Sequence, residues 1–567
     1  MKNLKFKNIK AICAACAILI AMSACTSAPS NQTSSSAETS AADSSQSVSA
    51  ENSASEASSN YNAPGELPIV KESVTIKICT PQNPSVQEYE TNKYTKYIED
   101  STNIKLEFEL LPSKEADAKQ KFDIMVASGG ELPDVIMGLG QTDAAIYKYG
   151  TNGIFLPLTQ YYENSAYWIT NRQDEIANKD FLRFITSPDK NIYYVPHYNE
   201  NLGNEFHNRG YINEQWLKDL GLSAPTTTDE LYDVLVAFRD GDPNKNGIKD
   251  EIPLVGASGW GQQTKDFLMN SFIYDDSTDR WLNDDGKLSV AFNTDAWKDG
   301  LAYQNKLYEA GLIFPASFTQ DEDQFKTLVS GEVNVVGMGT SPMNFPNTTE
   351  DRYREYVPQM PVKGPDGVQF AIFAPSMPSS YWFITKDCSD PETAFRLADF
   401  MWNPDASMLT RFGEKGVDWL DVSDDPSAVS AYAAMGYKAL YHTILEWGPI
   451  QNSHWQDRAP AFRSYISGAG KTSADVGNNS LSIYRMEQEK LQSKQHVAKI
   501  VYTPEETAQI SDIKLTINTY VDESMVRFIT GDLSVEKDWD KYISELNKMG
   551  LEEYISVSQT AFTRTMS

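Results

Sequence analysis

Positive charge is scarce in this chain. Its 49 lysines and arginines are outnumbered by 78 aspartates and glutamates, leaving a formal net charge of −29. A surface of that sign repels nucleic acid and anionic lipid, so neither is an expected partner; it favours solubility and cations and does not choose a substrate. Cysteine is scarcer still. The five present, Cys13, Cys16, Cys25, Cys79 and Cys388, have no metal-ligand spacing. Two of them fall in an N-terminal leader, and Cys79 and Cys388 are expected as separate buried thiols. After the leader no apolar run is long enough to span a bilayer. Also missing are the Gly-x-Ser-x-Gly elbow, the His-Glu-x-x-His helix and the Walker loop. The five histidines, His197, His207, His442, His454 and His496, are scattered and carry no supporting motif.

What is present begins with an export signal. Lys2, Lys5, Lys7 and Lys10 precede an apolar run over 11–22, too short for a permanent membrane helix. Met22, Ser23 and Ala24 then lead into Cys25 in the manner of a bacterial lipobox. Residues 1–25 are therefore expected to be a lipoprotein signal peptide, with Cys25 as the acylated first residue at the extracytoplasmic face of the cell membrane; ordinary signal cleavage nearby is the alternative. Residues 26–68 are rich in Ser, Ala, Thr, Glu and Asn and poor in large apolar groups. They are expected to form a disordered tether, because too little apolar surface is available to offset chain entropy. A flexible chain of ~40 residues reaches about 35 Å.

The remainder, 69–567, is of globular composition, within a chain that is 41% hydrophobic and 11% aromatic. Residues 74–79 and 104–110 alternate as strands do, and 132–137 continue the pattern. Helices are predicted over 88–102 and 114–127, the second stopping at Gly129 and Gly130. Strand alternating with helix points to an α/β fold with a mostly parallel sheet. Thr227 and Glu230 read as a capping box before Leu231, Val234, Leu235 and Phe238 at helical spacing. Trp539, Tyr542, Leu546 and Met549 share one face of a late helix.

The stretch 240–253, DGDPNKNGIKDEIP, concentrates oxygen donors. Asp242, Asn244 and Asn246 stand two residues apart, Gly247 permits a sharp turn, Ile248 offers a backbone carbonyl, and Asp250 and Glu251 follow. Ca²⁺ takes six to eight oxygens, which these six positions approach. The twelfth place is Pro253 where an EF-hand has Glu, so the closing carboxylate falls to Glu251. An acidic, solvated Asx-turn loop is the plain alternative.

This loop, with its Asp-Glu pair followed by Ile-Pro, resembles the calcium loop of family 1 extracellular solute-binding proteins, in the long subgroup that serves alginate and oligosaccharide ABC importers. Ala127–Val135, Asn191–His197, Asn208–Leu217 and Val333–Ser341 resemble further stretches of that family, so the likeness spans nearly everything after the tether. It implies a two-lobed periplasmic-binding-protein-like fold of type 2, with three crossing segments at the hinge. On that scheme 69–195 and 340–378 form the first lobe and 196–339 and 379–567 the second. Residues 333–341 would cross back to the first lobe, and Tyr381–Thr385, with a helix over 391–402, would supply the third crossing. It also implies a monomer that gives an oligosaccharide to ABC permease transmembrane subunits and does no bond chemistry itself, with structural Ca²⁺ on the loop.

Sugars stack their C–H faces on aromatic rings and bond their hydroxyls to polar side chains. Trp260, Trp447 and Trp455 lie in Gly-, Gln-, Asn- and Ser-rich surroundings, and Trp382 lies at an expected crossing. These four are the candidate ligand platforms, with Arg209 as a possible polar partner; core packing is the ordinary fate of each Trp. Trp216, Trp297, Trp402 and Trp539 sit at helical spacing and are expected in the core. A secreted carbohydrate-active enzyme with a structural calcium, or a surface sensor or scaffold lipoprotein, are the rival readings.

Overall fold

A computed structural model describes residues 60–176, 178–200, 202–342, 352, 355–421, 440–443, 445, 449–464, 466–467, 484 and 487–567. The leader, Cys25 and Trp447 lie outside the described residues. So does the tether as far as residue 59, but 60–68 are held in place. The Tyr61 hydroxyl donates to Asp390 at 2.6 Å, and Arg396 lies over the Tyr61 ring while donating to the Asn62 carbonyl. Tyr61 is the first large ring after a long polar stretch, and it docks.

The first lobe is built on six strands: β1 (Val74–Pro81), β2 (Ile104–Leu111), β3 (Val135–Met137), β4 (Val195–Asn199), β11 (Ser379–Ile384) and β12 (Phe462–Arg463), in the order β12-β4-β11-β3-β1-β2. β1 runs parallel to β2 and β3, whereas β11 is antiparallel to β3 and β4. Both faces are covered, as a largely parallel core requires. Ile76, Ile78, Met137, Trp382 and Ile384 face one apolar layer; Cys79, Ile136 and Phe383 face the other. The helix Lys93–Thr102 begins later than its periodicity predicts, because the Asn92 side chain caps it by accepting from the Tyr94 amide. The helix Glu115–Ser128 ends at Gly129, whose φ of +68° a Cβ would disfavour.

The second lobe carries β5 (Arg209–Asn213), β6 (Ile252–Val255), β9 (Val336–Ser341) and β10 (Tyr356–Gln359), in the order β10-β5-β9-β6. A hairpin of β7 (Trp281–Asp284) and β8 (Lys287–Val290) stands beside it. The helices Thr228–Asp240, Asp295–Glu309, Pro504–Thr530 and Leu551–Met566 share its main core. Half of the expected capping box forms. The Thr227 hydroxyl accepts from the Glu230 amide at 3.2 Å, but the Glu230 carboxylate turns to the amide and hydroxyl of Thr226.

The lobe boundaries differ from those expected. β9 does not return to the first lobe, because it is bonded on one side to β5 and on the other to β6. β10 also stays in the second sheet, so the described residues of 340–373 belong there rather than to the first lobe. Likewise β11, the helix Pro391–Met401 and residues 455–462 pack in the first lobe, and among the described residues the chain rejoins the second at Tyr484. A buried strand looks the same in either sheet; its long-range partners decide. The described residues of 200–208 thus form the first crossing and 374–378 the second, while much of the third falls outside the described residues.

Arg280 is buried at the centre of the second lobe. Its guanidinium donates to Asp522 at 2.8 Å, lies 3.4 Å from Asp275 and 3.7 Å from Asp266, and sits over the Trp297 ring. Burial works against its charge, but Asp275, Asp266 and Asp522 outweigh burial and hold it protonated far above its ordinary range. Arg280→Ala is expected to cost about 3–5 kcal/mol in a denaturant melt, since the buried carboxylates lose their counter-charge. A melt within 1 kcal/mol of wild type, on the order of a surface change, would show the network to be dispensable.

Candidate functional site

A cavity of about 710 Å³ opens where the two lobes face each other. The first lobe contributes His197 and Asn199 from β4 and Ser379 from β11; the crossings contribute His207 and Pro375–Met377; the second lobe contributes Trp260, Gln263 and Asp276–Thr278. The cavity thus takes walls from both lobes and from the two crossings between them.

Trp260 is placed by a tight turn. The Gly259 carbonyl accepts from the Gln262 amide, and Gly261 adopts a φ of +71°. A Cβ on Gly261 would lie 2.4 Å from the His207 carbonyl oxygen, so only glycine lets the turn approach the crossing this closely. The indole is thereby laid over the His207 imidazole, centroids 5.0 Å apart and planes within 8°. Trp260 remains 54% exposed. One face rests on a ring and the rest meets the cavity.

The other tryptophans behave differently. Trp382 is fully buried on the helix-covered face of β11. Trp455 is fully buried too, edge-on to Tyr94 and Phe108, with its indole N–H donating to the Thr95 hydroxyl at 2.9 Å. Both are core residues, so the platform reading of these two is withdrawn. Arg209 is 2% exposed and donates to the carbonyls of Gly203, Phe206 and Pro342. It ties the first crossing to the end of β9 and is not a cavity residue. Trp216, Trp297, Trp402 and Trp539 are core, as their spacing predicts.

His207, His197 and Asp276 carry no motif and were not distinguishable from other polar residues. Burial lowers the pKa of both imidazoles, so both are neutral near pH 7. His197 Nδ1 lies 2.9 Å from the Ala459 carbonyl and therefore holds the proton there. Its Nε2 is 3.7 Å from Asp457. Burial would raise the Asp457 carboxyl, but Arg463, His197 and Arg411 hold it well below the carboxylate range. Asp276 is different: burial raises its carboxyl, opposed by the amides of Thr278 and Arg280.

The oxygen-rich loop lies at the other end of β6 from the Trp260 turn. Asp242, at φ +48°, accepts from the Asn246 and Gly247 amides; Asn246 accepts from the Ile248 amide; and the side-chain amides of Asn244 and Asn246 donate to Asp250. One Glu251 carboxylate oxygen is buried without a hydrogen-bond partner, and burial together with Asp250 and Asp242 raises its pKa. The orphaned buried oxygen is the kind of group a divalent cation satisfies, but no three carboxylate, imidazole or thiol side chains converge on one point among the described residues. Cys79 and Cys388 are separate buried thiols, each raised to about 12 by burial.

Residues 84–408 match the family of bacterial extracellular solute-binding proteins. Among curated proteins, the chain is 26% identical over 506 residues to the fructooligosaccharide ABC transporter substrate-binding protein FusA of Streptococcus pneumoniae serotype 4, covering 86% of this chain and 90% of that one. Among solved structures, it resembles an extracellular solute-binding protein from Bifidobacterium longum subsp. infantis, with a TM-score of 0.72 at 18% identity over 87% of this chain and 99% of the other. It also resembles an EF-hand mutant of S. pneumoniae FusA in complex with fructo-nystose, with a TM-score of 0.63 at 22% identity and the same coverage.

The tryptophans separate on stability. Trp382→Ala and Trp455→Ala are expected to lose about 3–5 kcal/mol each, whereas Trp260→Ala stays within about 0.5 kcal/mol of wild type. Denaturant melts of the three variants check this; a Trp260→Ala loss equal to the other two would place that ring in the core.

Proposed function

The chain belongs to the bacterial extracellular solute-binding proteins, and on that premise we propose that it captures an oligosaccharide between its lobes and delivers it to the transmembrane subunits of an ABC importer. The observation that carries this reading is the exposed Trp260 ring, stacked on His207 in the wall of a cavity that both lobes line. A flat apolar surface beside Ser379, Asn199 and Asp276 suits a sugar, whose ring faces are apolar and whose edges carry hydroxyls. A ligand touching both walls favours the closed arrangement of the lobes by its extra contacts there. The protein performs no bond chemistry in this reading; it returns its sugar uncut and acts as a monomer.

Two accessory features complete the proposal. Ca²⁺ would be held by Asp242, Asn244, Asn246, the Ile248 carbonyl, Asp250 and Glu251, neutralising charges that otherwise repel one another. Its role is structural, since β6 runs directly from this loop towards the Trp260 turn. Cys25 would carry the acyl chains that hold the protein at the outer face of the cell membrane, with the polar stretch that follows as the tether.

Calorimetric titration with oligosaccharides should give saturable binding, and Trp260→Ala should lose about 1–3 kcal/mol of it, as other aromatic contacts in desolvated pockets do. Chromatography of the recovered ligand should show it intact; cleavage products would establish the enzyme instead. Chelation should lower the melting temperature of the wild type and leave that of Asp242→Ala unmoved, because a metal bound only to the native state stabilises by mass action. Radiolabelled fatty acid should enter the wild type and not Cys25→Ser; equal labelling would remove the anchor from the proposal.

A further inference from the structure

The charge inventory of the cavity is lopsided. Among the described residues that line it there is one carboxylate, Asp276, and no lysine or arginine. The two lining imidazoles are neutral, so they offer no positive charge either. The nearby guanidiniums of Arg463 and Arg411 are engaged with Asp457, below the His197 wall.

Asp276 is also held with care. Its Oδ1 accepts from the amides of Thr278 and Arg280, both at 2.8 Å, while Oδ2 has no hydrogen-bond partner among the described residues. Ser277 and Arg280 adopt φ angles of +65° and +56°, a conformation that side chains disfavour. Such a backbone persists where its surroundings over-determine it, and here the buried Arg280 side chain fixes one end of the turn. The result is a cavity-lining carboxylate with one oxygen clamped by the backbone and the other left without a partner among the described residues.

We propose that this cleft discriminates against anionic oligosaccharides, and that Asp276 is the specificity-determining residue, accepting hydroxyl groups of the bound sugar through its free oxygen. The inference rests on the oligosaccharide reading above and narrows it. A sugar hydroxyl donating to a carboxylate makes a charge-assisted bond, stronger than a neutral one. A uronate in the same place brings a second negative charge beside Asp276, with no lining cation to offset it. Like charges brought together in a partly desolvated cavity weaken binding by about a hundredfold or more.

The experiment is calorimetric titration of the wild type and Asp276→Asn with three sets of oligosaccharides matched in length: uncharged oligomers of fructose, glucose and galactose; oligogalacturonates; and glucosamine oligomers. The wild type should bind a member of the uncharged or glucosamine sets more tightly than any oligogalacturonate. Asp276→Asn keeps the backbone clamp and removes the charge, so it should weaken that binding about tenfold to a hundredfold. Oligogalacturonate binding should not weaken in the same variant, and any that is present should tighten. The proposal is overturned if the wild type binds oligogalacturonates as tightly as its best ligand from the other two sets. Equal weakening of every set by Asp276→Asn would also overturn it, since that marks a structural role. Should Asp276→Asn not fold, the preference of the wild type decides alone. If no member of any set binds, the oligosaccharide reading itself falls and takes this one with it.

Discussion

Arg280 is the point through which the second lobe is assembled. Its guanidinium joins Asp266 on the helix Thr264–Met269, Asp275 in the loop before β7 and Asp522 on the helix Pro504–Thr530. Asp266 and Asp275 are near Arg280 in sequence, whereas Asp522 comes from a helix 242 residues away. A charge taken out of water is tolerated only where its partners surround it, so the buried group dictates where all three stretches lie. The cavity inherits that rigidity. Asp276 follows Asp275 directly, and the turn that carries it ends at Arg280 itself, whose amide bonds back to Asp276. The wall presented to a ligand is in this sense the outer surface of a core ion network.

Much of the architecture was legible in the sequence. Period-two alternation located β1 and β2 almost end to end, whereas β3 is only Val135–Met137 of the expected 132–137. The polar spacing of 240–253 identified a loop whose buried Glu251 oxygen has no partner. What was not legible was lobe membership. β9 is buried along its whole length and β11 over most of it, and nothing local in either says which sheet it will join. The tryptophans failed for a related reason. Trp455 stands among Gln, Asn, Ser and His in sequence, yet those groups satisfy backbone atoms around it while the ring itself is walled in by Tyr94 and Phe108. Trp260 has similar neighbours but follows Gly259 and precedes Gly261, and the glycines hold the ring out of the core. Flanking glycine, more than flanking polarity, was the usable signal.

The lobes are also joined away from the cavity mouth. Lys499 donates to Asp143 at 2.9 Å and to the Phe184 carbonyl at 3.0 Å, tying the chain after the third crossing to the first lobe. Val497 and Ala498, just before it, reach the cavity. The two crossings carry His207 and Pro375–Met377, so the segments that link the lobes also line the site.

The exposure of Trp260 has an optical consequence. Every other tryptophan among the described residues is buried or partly buried. The emission of those rings is set by surroundings that folding has already fixed, whereas Trp260 emits from a ring half in water. A ligand laid on that ring replaces solvent at one chromophore and leaves the packed indoles as a constant background. The protein thus contains its own reporter of occupancy, sited in the wall of the cleft and readable without a label.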